Sequence, residues 1–437
     1  MAPARDPSLG RQLPSRRELL RSGLLGGVSL GLLGSLAGPL LAGPDDRPEA
    51  SGDAASPPTA LILLWLQGGP SQLDTFDPKP GHPNGGGVRT VKTRTPGLLF
   101  AESLAGLAER SDRLCVVRSL SSTEGDHRRA TRFVTTGHKP RPRLSRPGLA
   151  SVAAYGATAE RGPLPAVVRI GRRGVALDAG FLDPELTPFE VAEAGTEVPD
   201  LVPARPLTPA RQARRSALLA GLSRDFRRIR GASDLDRRET AFARVDAMRG
   251  RPELRAFQLG EESTATRERY GPSAFGRGCL LARRLVERGT RCVEVIQSGW
   301  DTHDDNARRT AGLARQLDRG FSALLDDLAA SGRLASTIIL CLGEFGRTPV
   351  LNSRGGRDHY PRAFSAVLAG GGVAAGTVHG ATGPDGLEVT RDRLTVPELH
   401  ATALALAGVD PSREVLVGDR PVKLSEGTVR RSLLTKP

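Results

Sequence analysis

Seven histidines serve 437 residues, and three of them stand beside carboxylates soon after apolar runs. Asp126-His127, with Thr131 close behind, follows the run at 114–120, and Asp301-Thr302-His303 follows 293–296. Glu344 and Arg347 follow 338–342, with Asp358-His359 soon after, and Asp74 and Asp77 follow 61–66. Carboxylates and imidazoles together suit one or two divalent metal ions: zinc, manganese or calcium. Two such ions about 4 Å apart clamp an ester anion and stabilise in-line displacement at phosphorus or sulfur.

Each residue also has a plainer use. A lone aspartate such as Asp74 or Asp77 caps a helix or turn. Asp301 with His303 makes a loop hydrogen-bond pair, and His359 with Asp358 is either a ligand or a satisfied surface pair. Glu344 directly after a buried strand is harder to set aside, because an unpaired buried carboxylate costs several kcal/mol. Arg347 either holds an anionic substrate or pairs with Glu344. His82, His138, His379 and His400 read as structural. Cys115, Cys279, Cys292 and Cys341 lack metal spacing and read as buried free thiols. The argument for a site is therefore convergence.

Convergence requires a scaffold that brings strand ends together. Short continuous apolar runs at 61–66, 114–117, 166–170, 292–296, 337–342 and 364–368 read as fully buried strands. Helical periodicity fills 273–288 and 311–330, each stopping near a glycine, which is the pattern of βαβ units. The expected fold is α/β: a doubly wound, mostly parallel sheet flanked by helices, with ligands outside the carboxyl ends of its strands. Residues 172–267 differ. A Pro-rich segment (182–209) precedes Arg- and Glu-rich helical stretches at 210–230 and 237–248, expected as an insertion on the sheet's edge or rim.

The first 42 residues are a separate object. Ser15-Arg16-Arg17-Glu18-Leu19-Leu20 is a twin-arginine signature, and a Gly- and Leu-rich apolar run at 24–42 completes a signal peptide. Residues 43–58 read as a linker, and 59–437 as the folded domain. The expected location is periplasmic or extracellular, with membrane contact only through an uncleaved signal. Net charge is +14, yet only five of the 62 basic residues are lysine and aromatics are 4%. With no basic stripe interleaved with aromatics, no nucleic-acid partner is expected. An anionic ester substrate or envelope polymer fits the charge better.

At these residues the chain resembles the domain-of-unknown-function 1501 family of exported bacterial proteins, from about Ala60 to the C-terminus. The resemblance rests on LQGGPSQLDTFDPKP (66–80), GWDTH (299–303), GEFGRTP (343–349) and GRDHYP (356–361). That family is similar in turn to the alkaline phosphatase and sulfatase superfamily. By position, the resemblance implies metal ligands at Asp74 with Glu344 near it, and at Asp301, His303 and His359. Sulfatases carry a Cys-x-Pro-x-Arg motif shortly before Thr-Gly. Counting back from Thr136-Gly137 here puts His127 where that Cys would stand. Thr131 or a metal-activated water is then the candidate nucleophile, and His127 a ligand or base. The leading reading is a metal-dependent hydrolase of phosphate or sulfate esters in the cell envelope. The alternative is a non-catalytic binding or assembly protein that has kept the scaffold, and a transferase on an envelope polymer is a third.

Overall fold

β1 (Ala60–Gln67) has the sequence ALILLWLQ, with nothing polar before its last residue, so both of its faces must be covered. Ala60 through Leu66 are all buried. Alternation along the strand sends Leu61, Leu63 and Trp65 into one apolar cluster and Ile62, Leu64 and Leu66 into the other. Truncating a residue such as Leu64 to alanine should cost about 2–5 kcal/mol, since its surroundings cannot collapse onto the gap.

The computed structural model describes residues 60–435 apart from 141–143, 157–161, 173, 176, 197, 199–200, 202–207, 231–238, 240–247 and 249–250. The signal peptide, the linker and nearly all of the helix expected over 237–248 lie outside the described residues. Residues 54–437 belong to one unit.

Eight further strands join β1 among the described residues: β2 (Leu114–Ser121), β3 (Val167–Ile170), β4 (Phe189–Val191), β5 (Cys292–Ser298), β6 (Thr337–Leu342), β7 (Phe364–Gly370), β8 (Thr377–His379) and β9 (Leu394–Thr395). Their order is β8-β2-β7-β6-β1-β5-β3-β4, with β9 also on β2. Every pairing is parallel except those of β7, which runs against both neighbours. The mostly parallel sheet is thus present, and β1 lies inside it with later strands on both sides. The expected insertion also contributes to the sheet, because β4 is its edge strand.

Helices close both faces. α1 (His127–Thr136), α2 (Leu149–Gly156) and α6 (Val396–Leu406) supply Phe133, Val134, Val152, Leu399 and Leu404 to the cluster around Trp65. α4 (Ala274–Glu287) and α5 (Asn306–Ala330) supply Phe275, Leu281, Leu317 and Phe321 to the cluster around Leu64. α3 (Pro209–Arg230) lies in the inserted segment. α1 begins where the Asp126 carboxylate accepts from the Arg129 N–H at 3.0 Å, and it stops at Gly137 in a left-handed turn. All four cysteines are free and buried, as their apolar contexts suggested.

This topology fixes where chemistry can occur. Parallel β1, β2, β5 and β6 end on one edge of the sheet, and antiparallel β7 begins there, Phe364 lying opposite Leu120. The loops holding Gly68, His127, Asp301, Glu344 and His359 therefore meet at one place.

Candidate metal centre

Asp301 is the hub. Its Oδ1 lies 3.0 Å from His303 Nε2 and 3.3 Å from His359 Nε2, and its Oδ2 lies 3.4 Å from His127 Nε2. The two nearer imidazole nitrogens, His303 Nε2 and His359 Nε2, are 3.0 Å apart. His127, Asp301 and His359 offer ligand atoms within 4.8 Å of one another.

What lies behind each ring decides which nitrogen faces inward. His127 Nδ1 is 2.8 Å from Glu344 Oε1, His303 Nδ1 is 2.7 Å from Asp358 Oδ1, and His359 Nδ1 is 2.8 Å from the Gly125 carbonyl. A carbonyl or ionised carboxylate oxygen can only accept, so each Nδ1 carries a proton and donates. In neutral rings the three Nε2 atoms then present lone pairs toward Asp301. Lone pairs of His303 and His359 facing each other at 3.0 Å, beside a carboxylate, repel unless a cation lies among them. Among the described residues the buried His127 Nε2 has no well-formed hydrogen bond, Asp301 Oδ2 lying 3.4 Å away. Outer carboxylates and carbonyls that orient inner imidazoles are the arrangement a transition-metal site uses, so these donors fit a divalent cation.

The site favours positive charge: the carboxylates of Asp301 and then Glu344 raise His127 to about 9, so a bound cation would displace a proton there. Burial pushes Asp301 upward, but the neighbouring His127 and His359 rings and the Arg347 guanidinium outweigh it and hold the carboxyl far below the usual range. The hydrogen bond from His303 lowers Asp358.

Local sequence builds the walls. Glu344 is 1% exposed, directly after β6, and its Oε1 also accepts from the Gly68 N–H at 2.9 Å. Gly68 has φ +115°, and a Cβ there would collide with the Asp301 backbone nitrogen, so only glycine allows β1's end to reach this carboxylate. Phe345 is fully buried, its ring centroid 4.5 Å from that of His359 and 4.9 Å from that of His127. Asn352 donates to the His303 carbonyl at 3.0 Å and steadies the outer loop.

The residues singled out from sequence divide into three groups. Asp301, His303, His359 and His127 come together. Glu344 joins them through the back of His127, and its inward contacts are to that ring and to Gly68. Arg347, Asp74 and Thr131 stand apart from the imidazoles. Arg347 is wholly buried and committed to the Gly69 carbonyl (2.9 Å), the Arg357 carbonyl (3.0 Å), the Gly68 carbonyl and Asp301 Oδ1 (2.5 Å). It braces Asp301, and burial lowers it against the pull of that carboxylate. The Asp74 carboxylate lies 2.8 Å from Arg357 Nε and accepts from the Ser71 hydroxyl. Among the described residues no hydrogen bond joins it to the imidazoles. Thr131 is 4% exposed, one turn beyond His127 on α1. The Gly125 carbonyl and Phe345 were missed: a backbone oxygen leaves no mark in sequence, and Phe345 reads as core. Asp358, the neighbour of His359 in sequence, proves to be the partner of His303.

Residues 58–434 match the family described as protein of unknown function DUF1501. No curated protein matches the sequence. Among solved structures, the chain is similar to the PsFucS1 sulfatase from Pseudoalteromonas sp., with 13% identity over 81% of this chain and 68% of that one and a TM-score of 0.39. It is similar to the lipoteichoic acid synthase LtaP from Listeria monocytogenes at 10% identity over 85% and 74%, TM-score 0.39. It is also similar to the phosphonate monoester hydrolase SpPMH from Silicibacter pomeroyi at 12% identity over 86% and 76%, TM-score 0.37.

Proposed function

The chain belongs to the DUF1501 family, and from that premise we propose that it is a metal-dependent hydrolase of phosphate or sulfate esters acting outside the cytoplasm. One observation carries the reading: three imidazoles, each anchored through Nδ1, turn Nε2 toward a single carboxylate. Asp301, His303, His359 and His127 are the proposed ligands. Their nitrogen-rich donor set favours zinc or another transition metal over calcium, which takes oxygen ligands. Such an ion supplies Lewis-acid polarisation of an ester's anionic oxygen.

The chain's own groups do the positioning. Glu344, Asp358 and the Gly125 carbonyl hold the three rings in one tautomer. Arg347 keeps the Asp301 carboxylate ionised and oriented, and the Phe345 ring closes one side against water. The Asp301 side chain is 45% exposed, so an anionic ester has access to it. Arg128 and Arg129 are exposed beside His127 and attract an anion to that opening. With Thr131 buried, water is the favoured nucleophile and the Thr131 hydroxyl the side-chain candidate.

The same burial of Thr131 and commitment of Arg347 favour a second reading, a binding protein that holds a metal and turns over nothing. Assaying aryl phosphate and aryl sulfate esters, with and without a chelator, separates the two. The hydrolase reading expects turnover that chelation abolishes and zinc or manganese restores. Metal binding without turnover of either ester class contradicts it. A twin-arginine export route and a periplasmic or extracellular location are part of the proposal. Among the described residues no helix is long and apolar enough to cross a membrane.

A further inference from the structure

α3 differs from every other helix described above in what it leaves uncovered. Over 209–230 the sequence holds seven arginines and one acid, Asp225. Ser223 is buried, with Gln212 and Leu219 half-buried, so one side of the helix rests on the protein. Arg211, Arg215, Leu218 and Leu222 follow at spacings of four, three and four, which puts them on one stripe, with Arg214 beside it. All five are exposed, Leu218 at 66% and Leu222 at 60%. A Cβ added at Gly221 would meet only the Arg224 guanidinium, at 4.0 Å. Among the described residues few large apolar side chains are this open, and these two sit one turn apart among arginines.

We infer that this stripe of α3 docks on a bilayer surface that carries anionic lipid. Leucine methyls enter the acyl boundary while the arginines beside them reach back to phosphate groups. Charge and area argue against the other occupants. A two-fold contact between copies would gather the arginines of both stripes into one interface with no acid in either stripe to offset them. A stable protein partner needs about 800 Å² on each side. The stripe from Arg211 to Leu222 is only about 16 Å long, at 1.5 Å per residue. A bilayer needs no matching pocket and offers the opposite charge.

The test is co-sedimentation of the full chain with phosphatidylcholine vesicles, with and without phosphatidylglycerol. The apolar run at 24–42 contributes equally to wild type and variants, so the difference between them reads α3. The expected result is phosphatidylglycerol-dependent binding that weakens as salt rises. It should fall about 100-fold in Arg211→Gln/Arg214→Gln/Arg215→Gln and about tenfold in Leu218→Ser/Leu222→Ser. Both variants alter exposed side chains and should keep the wild-type thermal midpoint. Absence of phosphatidylglycerol-dependent binding, or binding unchanged in both variants, overturns the inference. Loss in the arginine variant alone also overturns it, in favour of a soluble anionic polymer. A vesicle-free dimer that Leu218→Ser/Leu222→Ser dissolves overturns it in favour of self-association.

Discussion

His127 and His400 both contact α1 or begin it, and their surroundings differ in almost every respect. His127 has a carboxylate on each side, Glu344 at Nδ1 and Asp301 facing Nε2, and is raised to about 9. His400, on α6, is 2% exposed and lines a small cavity with Leu63, Trp65, Leu340 and Leu399. Among the described residues its ring nitrogens lack a well-formed hydrogen bond. Burial first, then His138, drives it down to about 3, with the Thr135 backbone acting the other way. His138 in turn accepts from Arg146 at 3.0 Å and has Glu426 3.6 Å away. One group of imidazoles is built to face positive charge, and the other excludes it. The lesson is that neighbours, more than residue type, decide whether a histidine is a ligand or a piece of core.

The most severe way to break the contrast is Asp301→Asn. Removing the hub carboxylate should weaken metal binding more than about 100-fold, beyond the effect expected of an outer group, and ester turnover should vanish with it. Equilibrium dialysis against zinc measures this. Unchanged affinity would mean that Asp301 is no ligand.

The next effect belongs to His400. Unfolded, its ring takes a proton near pH 6.5; folded, only near 3. The unfolded state thus binds more protons between those values. Stability is fully present above pH 6.5 and is lost as pH falls toward 3, by up to about 5 kcal/mol at about 1.4 kcal/mol per unit. Urea midpoints of wild type and His400→Leu at pH 7 and pH 4 should diverge, with the variant losing much less on acidification. Parallel losses would show that other groups carry the acid sensitivity.

Smaller still is Glu344→Gln, which keeps a partner for His127 but drops its charge. Metal affinity should fall about 10–100-fold, the range for outer-shell partners, and Asp358→Asn should act likewise through His303. The smallest change sharpens the mechanism: Thr131→Ser should leave turnover within about twofold of wild type, and Thr131→Ala should do the same if water attacks. A fall of about 10³ in Thr131→Ala, with metal still bound, would assign attack to the threonine.

Much of this contrast was legible beforehand, and unevenly so. Runs such as ILLW in β1 and IILCL in β6 announce strands buried on both faces, and parallel strands place the residues after them on one edge. From that alone Asp301, His303, His127 and His359 were candidates. Strand direction was not legible: FSAVLAG in β7 is as apolar as its neighbours yet runs antiparallel. Nor was α1 read as a helix, because HRRATRFVTT looks polar until Asp126 and Gly137 are recognised as its caps. α5 starts at Asn306, five residues before the periodicity at 311 becomes visible. Roles were harder than places. Arg347 reads in sequence as a substrate clamp or a partner for Glu344, but the Gly68, Gly69 and Arg357 carbonyls and Asp301 take four of its five N–H donors. Asp74 stands at a strand end like Asp301, yet Arg357 lies beside it. The difference comes from loops folding back, which no local pattern encodes.

The most direct test of the central claim is metal content by mass spectrometry of protein purified without chelators. Wild type should be compared with His127→Ala/Asp301→Ala, a pair that leaves β1, β5 and β6 intact. Wild type should retain at least one transition metal per chain, zinc foremost, that the double variant loses. Wild type that stays metal-free after exposure to zinc and manganese, or a double variant that binds as well as wild type, would contradict it.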